Sequence, residues 1–374
     1  MQIYWYWPYL RREECALARG VLRGGDHLLV HATARPDDPV VFDVPGVELL
    51  PWLPSVDERA REGGIGWAAS RSATYLARMR VRARTVRQRP VDLVHVVYLN
   101  PFIDAVSLPS IARRVPLVSS VHDVVPHQRR MPERVQRRML EREYAAAGAL
   151  IVHHEWVGRR LVEEFDIDST RVHHVPAQVI PAPLVARPVL NGPPEVLFFG
   201  TFRRNKGIDV LLEAIRRIPS EVGCRFVIAG RGFAEVEAEV RDASARDARV
   251  VAEIGYATAS RKAELYGRAR VAVLPYTAFE SQSAVLQDAY ANQVPVIVTD
   301  VGALGDTVRE EGSGWVIAPS DPDALAEAII RAVLDPDALA RCGAAMARIA
   351  EVRSPTNVGL RLREVYEEVA GSPQ

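Results

Sequence analysis

Two series of short apolar runs, each run followed by a longer stretch of helical period, set the tightest limit on what this 374-residue chain can fold into. The first series reads IYWYW at 3–7, HLLVHA at 27–32, LVHVVYL at 93–99, PLVSSVHD at 116–123, ALIVHH at 149–154 and VHHVP at 172–176. The second reads EVLFFG at 195–200, RFVIAG at 225–230, RVVAEIG at 249–255, VAVLPY at 271–276 and VPVIVTD at 294–300. Strand and helix in alternation are the signature of a parallel α/β sheet. Between the series, residues 176–194 hold six prolines and no helical period, which reads as a linker. The expected fold class is therefore α/β, with two Rossmann-like domains facing a deep interdomain cleft. Residues 1–180 form the first, 181–194 the linker and 195–353 the second, and 354–374 a terminal helix with apolar Val358, Leu362, Val365, Tyr366 and Val369. Sheets of this kind take ligands at the carboxyl ends of their strands.

Composition narrows the classes. With 47 basic and 47 acidic side chains and 48% apolar residues, the chain is an ordinary globular one and not a disordered tail. No stretch approaches the roughly 20 apolar residues of a spanning helix, and the N-terminus lacks a basic flank before an apolar core. An unexported, cytoplasmic protein is expected. Cys15, Cys224 and Cys342 are far apart and odd in number, so neither a disulfide framework nor a zinc ribbon is expected. Charge is uneven: residues 1–180 hold 25 arginines against 21 acids, and all nine histidines lie there. The excess sits in Arg71–Arg89, with seven arginines and no acid, and in Arg129–Arg142, with six arginines and two acids. Such runs can bind anionic lipid at the inner membrane face, as a peripheral contact, but more often they form solvated helix faces. No nucleic-acid partner is expected.

Chemistry concentrates in the second half. The segment Phe199–Asp209, FGTFRRNKGID, joins a strand to the helix DVLLEAIRRI. A glycine-bearing turn with cations offers a phosphate backbone N–H groups, a helix N-terminus and positive charge, which suits a diphosphate. The chain has 45 arginines but only two lysines, Lys206 and Lys262, so Lys206 in this turn is not filler. A second segment runs from Phe279 through Glu280, Ser283, Ala284, Val285 and Leu286 to Asp288, ahead of the strand VPVIVTD. Glu280 lies in the loop after VAVLPY and Asp288 in the helix eight residues on, so both carboxylates can face one ligand. Carboxylates accept sugar hydroxyls, and the N–H groups near Ser283–Val285 can donate to phosphate oxygens.

These motifs resemble the retaining, nucleotide-sugar-dependent glycosyltransferases of family 4, with the GT-B fold. Gly200, Arg203, Lys206 and Gly207 match the family's G-x-x-R-x-x-K-G turn, and Gly230-Arg231-Gly232 is similar to its next glycine turn. Glu280 and Asp288 match its E-x7-E motif with aspartate second, and Gly302 and Asp306 its G-G-x-x-E turn. The resemblance implies that Arg203 and Lys206 bind the diphosphate, Glu280 the donor sugar and Asp288 the ribose hydroxyls. It implies a donor site of Gly200, Arg203, Lys206, Gly230, Tyr256, Glu280, Ser283, Ala284, Val285, Leu286 and Asp288, with backbone at 254–256 reading the base. His122, in SSVHD, is similar to the family's histidine beside the anomeric centre, giving a catalytic set of His122, Arg203, Lys206 and Glu280. The family's first loop usually carries Gly-Gly and lines the acceptor side; here it reads Trp7 to Glu14, with Tyr9, Arg11 and Arg12 as the acceptor-side residues. The family's last helix crosses back to the first domain.

The implied reaction moves a sugar from a nucleoside diphosphate, UDP favoured over GDP or dTDP, to an acceptor hydroxyl with retention. No metal or other cofactor is expected where protein cations neutralise the leaving group; the nucleotide sugar is a co-substrate. His153-His154 and His173-His174 are adjacent pairs that point to opposite faces of a strand and do not chelate easily. Asp166-Ile-Asp168 reads as a helix-end loop and not as a metal-binding D-x-D. A Rossmann oxidoreductase would need a G-x-G-x-x-G that neither half shows. A non-enzymatic sugar-nucleotide binder or membrane adaptor of the same fold is the alternative.

Overall fold

The computed structural model describes residues 1–33, 41–51, 53, 65–98, 101–125, 132–180, 192–279 and 283–371. Contacts divide the chain into two units: Met1–Pro176 together with the segment from Pro355 onward, and Ala177–Ser354.

The first unit holds strands β1 (Gln2–Tyr6), β2 (His27–His31), β3 (Val47–Leu49), β4 (Leu93–Val96), β5 (Leu117–Val121), β6 (Ala149–Val152) and β7 (Val172–His174). All are parallel, in the order β3-β2-β1-β4-β5-β6-β7. Its helices are α1 (Ala18–Val21), α2 (Ile65–Gln88), α3 (Pro101–Ala112), α4 (Glu133–Ala146) and α5 (Glu155–Phe165). A parallel sheet covered on both faces needs strands that are apolar on both sides, and β1 shows why its aromatics cluster. Tyr4 and Tyr6 enter one core with residues of α2 to α5, while Ile3 and Trp5 enter the other with residues of α1.

The second unit holds β8 (Glu195–Phe202), β9 (Arg225–Gly232), β10 (Val250–Ile254), β11 (Ala269–Leu274), β12 (Val296–Thr299) and β13 (Gly314–Ile317). They too are parallel, in the order β10-β9-β8-β11-β12-β13. The helices are α6 (Ile208–Arg217), α7 (Ala234–Arg246), α8 (Ala259–Arg268), α9 (Ala284–Ala291), α10 (Leu304–Glu311), α11 (Pro322–Leu334) and α12 (Pro336–Val352). Helix α6 forms for local reasons. Ile208, Leu211, Leu212 and Ile215 fall on one buried stripe, and Asp209 in the first turn and Arg216 and Arg217 in the last complement the helix dipole.

Helix α13 (Pro355–Gly371) belongs to the first unit. It can approach α1 closely because two glycines meet there: a Cβ on Gly359 would lie 2.4 Å from the Leu17 carbonyl oxygen, and one on Gly20 2.0 Å from that of Thr356. Val358, Leu362, Val365 and Tyr366 complete the core around Trp5. Trp5 Nε1 donates to the Tyr366 hydroxyl at 3.0 Å, which lies 2.6 Å from His95 Nδ1, and His95 Nε2 lies 2.9 Å from Ser120 Oγ. Arg363 pairs with Asp26, which also holds the N-terminal ammonium at 2.7 Å.

The arginine run in α2 is not one solvated or lipid-facing surface. Arg80, Arg84 and Arg87 are exposed, but Arg78 and Arg82 are buried. Arg82 pairs with Asp104 of α3, donates to Ser107 and stacks 4.6 Å from the Tyr6 ring centroid. Its partners come from other elements, which is why charge counting misses it. Among the described residues, no helix is long and apolar enough to cross a membrane. Most of the proline-rich stretch, 181–191, lies outside the described residues.

Candidate active site

In each sheet the strand order reverses once, between β1 and β4 and between β8 and β11. The crevice outside the carboxyl ends of such a pair is where open α/β sheets bind ligands. In the second unit the two segments singled out by sequence follow the two strands of that pair: the lysine turn follows β8, and the Ser283 segment follows β11.

The turn is built on glycines that no other residue can replace. Gly207 has φ of +66°, and a Cβ there would fall 1.8 Å from the Pro275 carbonyl oxygen. Gly230 has φ of +149°, and its Cβ would fall 1.8 Å from the carbonyl oxygen of Gly200, its partner across the β8–β9 ladder. Backbone thus lies against backbone at the ends of β8, β9 and β11. Thr277 N–H donates to the Asn205 carbonyl at 3.1 Å and Asn205 Nδ2 to the Ala278 carbonyl at 3.3 Å, so the turn and the loop after β11 form one surface. On it, Lys206 Nζ sits 3.5 Å from the Tyr276 ring centroid and 4.6 Å from that of Phe279. Burial, with the Arg203 charge adding to it, lowers its pKa to about 8. The ammonium is held by ring faces and has no carboxylate partner among the described residues. Arg203 is exposed and unpaired among them, whereas Arg204 is taken by Glu239 at 2.7 Å.

Helix α9 begins beside this turn. A Cβ on Gly200 would touch Val285 at 3.4 Å, placing the first turn of α9 against the end of β8. Buried Ser283 caps the helix: its Oγ accepts from Leu286 N–H at 3.4 Å and lies 3.2 Å from the Tyr276 hydroxyl. The Leu286 amide is therefore committed to the cap, while those of Ala284 and Val285 precede it. Tyr256 is 78% exposed, the most of the large hydrophobic side chains among the described residues, and lies under Arg231, whose guanidinium carbon is 5.4 Å from the ring centroid. Glu280 lies outside the described residues. Gly302 has φ of +54°, and Asp306 pairs with Arg309 at 3.1 Å in the first turn of α10.

Asp288 is engaged in a way the sequence did not disclose. Its Oδ1 is 2.7 Å from Nζ of Lys262, on α8, and its Oδ2 has no partner among the described residues. Both lysines of the chain thus lie in this region. The rarity that singled out Lys206 applied equally to Lys262, and it was the available signal.

In the first unit, residues at the carboxyl ends of β1, β4, β5 and β6 form a ladder of rings. Tyr9 meets Tyr98 edge-on at 5.2 Å, Tyr98 stacks on His122 at 4.3 Å, and His122 lies 5.0 Å from His153. His122 Nε2 is 2.9 Å from the Val97 carbonyl oxygen, which can only accept, so Nε2 carries the proton and Nδ1 is left as an acceptor. Burial lowers the pKa of His122 to about 4, so the ring is neutral at pH 7. His153 Nδ1 donates to the Val175 carbonyl at 2.8 Å. Sequence alone assigns Tyr98 and His153 no part in a site: Tyr98 lies within the apolar run 93–99, and His153 reads only as a poor metal ligand. His154 instead caps α5 by accepting from Trp156 N–H, and Asp168 accepts from Thr170 N–H. Arg11 N–H donates to Glu14 Oε2 at 2.8 Å, starting a 3-10 turn where the family pattern has Gly-Gly. The Arg12 side chain lies outside the described residues.

Two family models match, one in each unit: Glycosyltransferase Family 4 over residues 16–180 and Glycosyl transferases group 1 over residues 193–335. The chain is 30% identical over 258 residues to D-inositol 3-phosphate glycosyltransferase of Xylanimonas cellulosilytica, a match over 62% of this chain and 61% of that one. Among the first relatives the matched share of their own length runs from 36% to 61%. Two solved structures extend the fold to nearly the whole chain. Sucrose-phosphate synthase from Thermosynechococcus elongatus superposes with a TM-score of 0.72 at 18% identity, over 99% of both chains. HepE of Anabaena, solved with UDP and glucose, gives 0.68 at 15% identity over 100% of both. With one model matched over each parallel-sheet unit, the chain belongs to the family 4 type of glycosyltransferases, built on the GT-B fold.

Proposed function

We propose that this chain transfers a glycosyl group, a hexose, from a nucleoside diphosphate sugar to an acceptor hydroxyl with retention at the anomeric carbon, and that UDP is the leaving nucleotide. The observation that carries this reading is the surface where Lys206, Arg203 and the first turn of α9 meet at the ends of β8 and β11. A diphosphate there would replace the ring faces as the principal partner of Lys206. As the bond from the anomeric carbon to the phosphate oxygen breaks, negative charge grows on the leaving group. In this reading Arg203, Lys206 and the amides of Ala284 and Val285 stabilise that charge. The acceptor oxygen bonds to the same face of that carbon, and its proton passes to the departing phosphate oxygen. No metal is required in this reading, because the protein's own cations supply the neutralising charge. Asp288 Oδ2 accepts from a ribose hydroxyl while Lys262 holds Oδ1. His122 accepts from a sugar hydroxyl through Nδ1, Glu280 binds the sugar, and Tyr9, Arg11 and Arg12 face the acceptor. Exposed Arg134, Arg138 and Arg142 on α4 give the first unit a basic face suited to an anionic lipid surface. UDP binding in the solved complex of HepE supports the choice of nucleotide.

The test is thermal stabilisation against UDP, GDP, dTDP and their sugars. A correct ligand at 100 times its dissociation constant adds about 2.7 kcal/mol of stability. Stabilisation by UDP and not by GDP or dTDP is expected; no stabilisation by any of them would remove the diphosphate assignment. Release of the nucleoside diphosphate from the stabilising donor separates a transferase from a binder that never turns over.

A further inference from the structure

The second unit has another concavity at the opposite ends of its strands. A cavity of about 800 Å³ opens where β8, β11 and β12 begin, walled by Pro194, Arg268, Arg270, Pro295 and the first turns of α12. Its volume falls within the range of small-molecule sites. The lysine turn follows the other end of β8, so this cavity is separate from the candidate active site.

The wall is built around Arg270. The pairing of β11 with β8 shifts register between Ala269 and Val271, and Arg270 is the residue at the irregularity. A bulge of this kind re-aims a side chain out of the regular alternation, and Arg270 lines the cavity. Arg268, two residues before, lines it too, but it is neutralised by an ion pair with Glu195. Arg270 has no ion pair among the described residues, so it carries the uncompensated charge of the wall. The Nε atoms of both arginines are buried without a hydrogen-bond partner. Gln293, also on the wall, holds φ of +53° with no glycine to ease it. That conformation closes α9: Gln293 N–H donates to the Tyr290 carbonyl and Val294 N–H to that of Ala289, both at 3.0 Å, the usual left-handed helix ending. The fourth side is the N-terminal part of α12, a 17-residue helix begun by Pro336, with exposed Ala340 facing the cavity.

We infer that this cavity binds a small molecule through an oxyanion group, a phosphate ester or a carboxylate, with Arg270 as the principal contact. Guanidinium matches both groups by paired N–H donation; the α12 terminus is already capped by Asp335 and carries Asp337 in its first turn, so the recognition rests on Arg270. The role is independent of the donor reading and does not require it.

The experiment uses the full chain carrying R203A and K206A, so that the lysine turn cannot take the anion. It is titrated with inorganic phosphate and, separately, with acetate, at ionic strength held constant with chloride, and followed by calorimetry and thermal unfolding. Saturable binding of at least one anion is expected, weakened at least tenfold by R270Q; which anion binds identifies the group. A340E, on an exposed helical position, places a carboxylate in the cavity and should abolish binding without depending on how R270Q folds. No saturable binding of either anion, or binding that both variants leave unchanged, would overturn the inference.

Discussion

Lys206 is charged, half-buried and, among the described residues, held by aromatic faces without a carboxylate, so its protonation is linked to what binds it. With its pKa lowered to about 8 by burial and Arg203, it begins to lose its proton above that pH, and a bound diphosphate would raise the pKa again. Nucleoside diphosphate affinity should therefore be level below pH 8 and fall as pH rises through 8 to 9.5. Binding at pH 8.5 should take up protons, measured by calorimetry in buffers of different ionisation enthalpy. Zero uptake would show that Lys206 does not meet the diphosphate. Asp288 makes a second prediction at this scale. If Lys262 orients its carboxylate, K262M and D288N should each weaken binding by about 1–2 kcal/mol, and the double variant should lose little more than either single one. The loss should shrink with a 2′-deoxyribose ligand. Additive losses would mean that the two residues act separately. What the sequence disclosed here followed locality. Lys206 stood out by rarity and by its place in a turn of nearby residues. The ring ladder of Tyr9, Tyr98, His122 and His153 was hidden because each ring comes from the end of a different strand.

The elements themselves were largely legible, because parallel strands covered on both faces must be apolar throughout and so appear as short uninterrupted runs. The runs at 195–200, 225–230 and 294–300 coincide with β8, β9 and β12. Less legible was which helix residues turn inward. The seven arginines of the 71–89 run look alike in sequence, and Arg82 is distinguished by non-local partners, Asp104 and Ser107 of α3, 22 and 25 residues away, and the Tyr6 ring. The crossing of α1 and α13 is equally non-local and makes a prediction at this scale. Gly359 has no room for a methyl group against the Leu17 carbonyl, and backbone cannot swing aside as a long side chain can. G359A should lower stability by about 2 kcal/mol or more, whereas G371A, with nothing near its Cβ, should be close to neutral. Denaturant unfolding of the pair checks this, and equal stability would mean that α13 does not hold this contact in solution.

Over the whole molecule, the histidines of the first unit set its acid limit. Burial lowers His31 and His122 to about 4, and His95 and His153 to about 3, from an ordinary value of 6.5. The unfolded chain takes up these protons below pH 6.5 and the folded chain does not. Stability is therefore full above 6.5 and falls as pH drops toward 4, each histidine contributing up to about 1.4 kcal/mol per pH unit. Unfolding midpoints between pH 7.5 and 4.5 should show this fall, and H95Q should reduce its slope; a flat profile would mean that the histidines titrate normally. The second unit, which carries the lysine turn, has no histidine, so this acid lability belongs to the first unit. The central claim concerns that turn, and turnover of wild type against K206A tests it most directly. With the donor that stabilises the protein, wild type should release the nucleoside diphosphate. K206A, folded by the same unfolding midpoint without ligand, should be slower by about 2 kcal/mol or more, roughly thirtyfold. A K206A rate near that of wild type would contradict the assignment of the β8 turn as the site where the leaving diphosphate is stabilised.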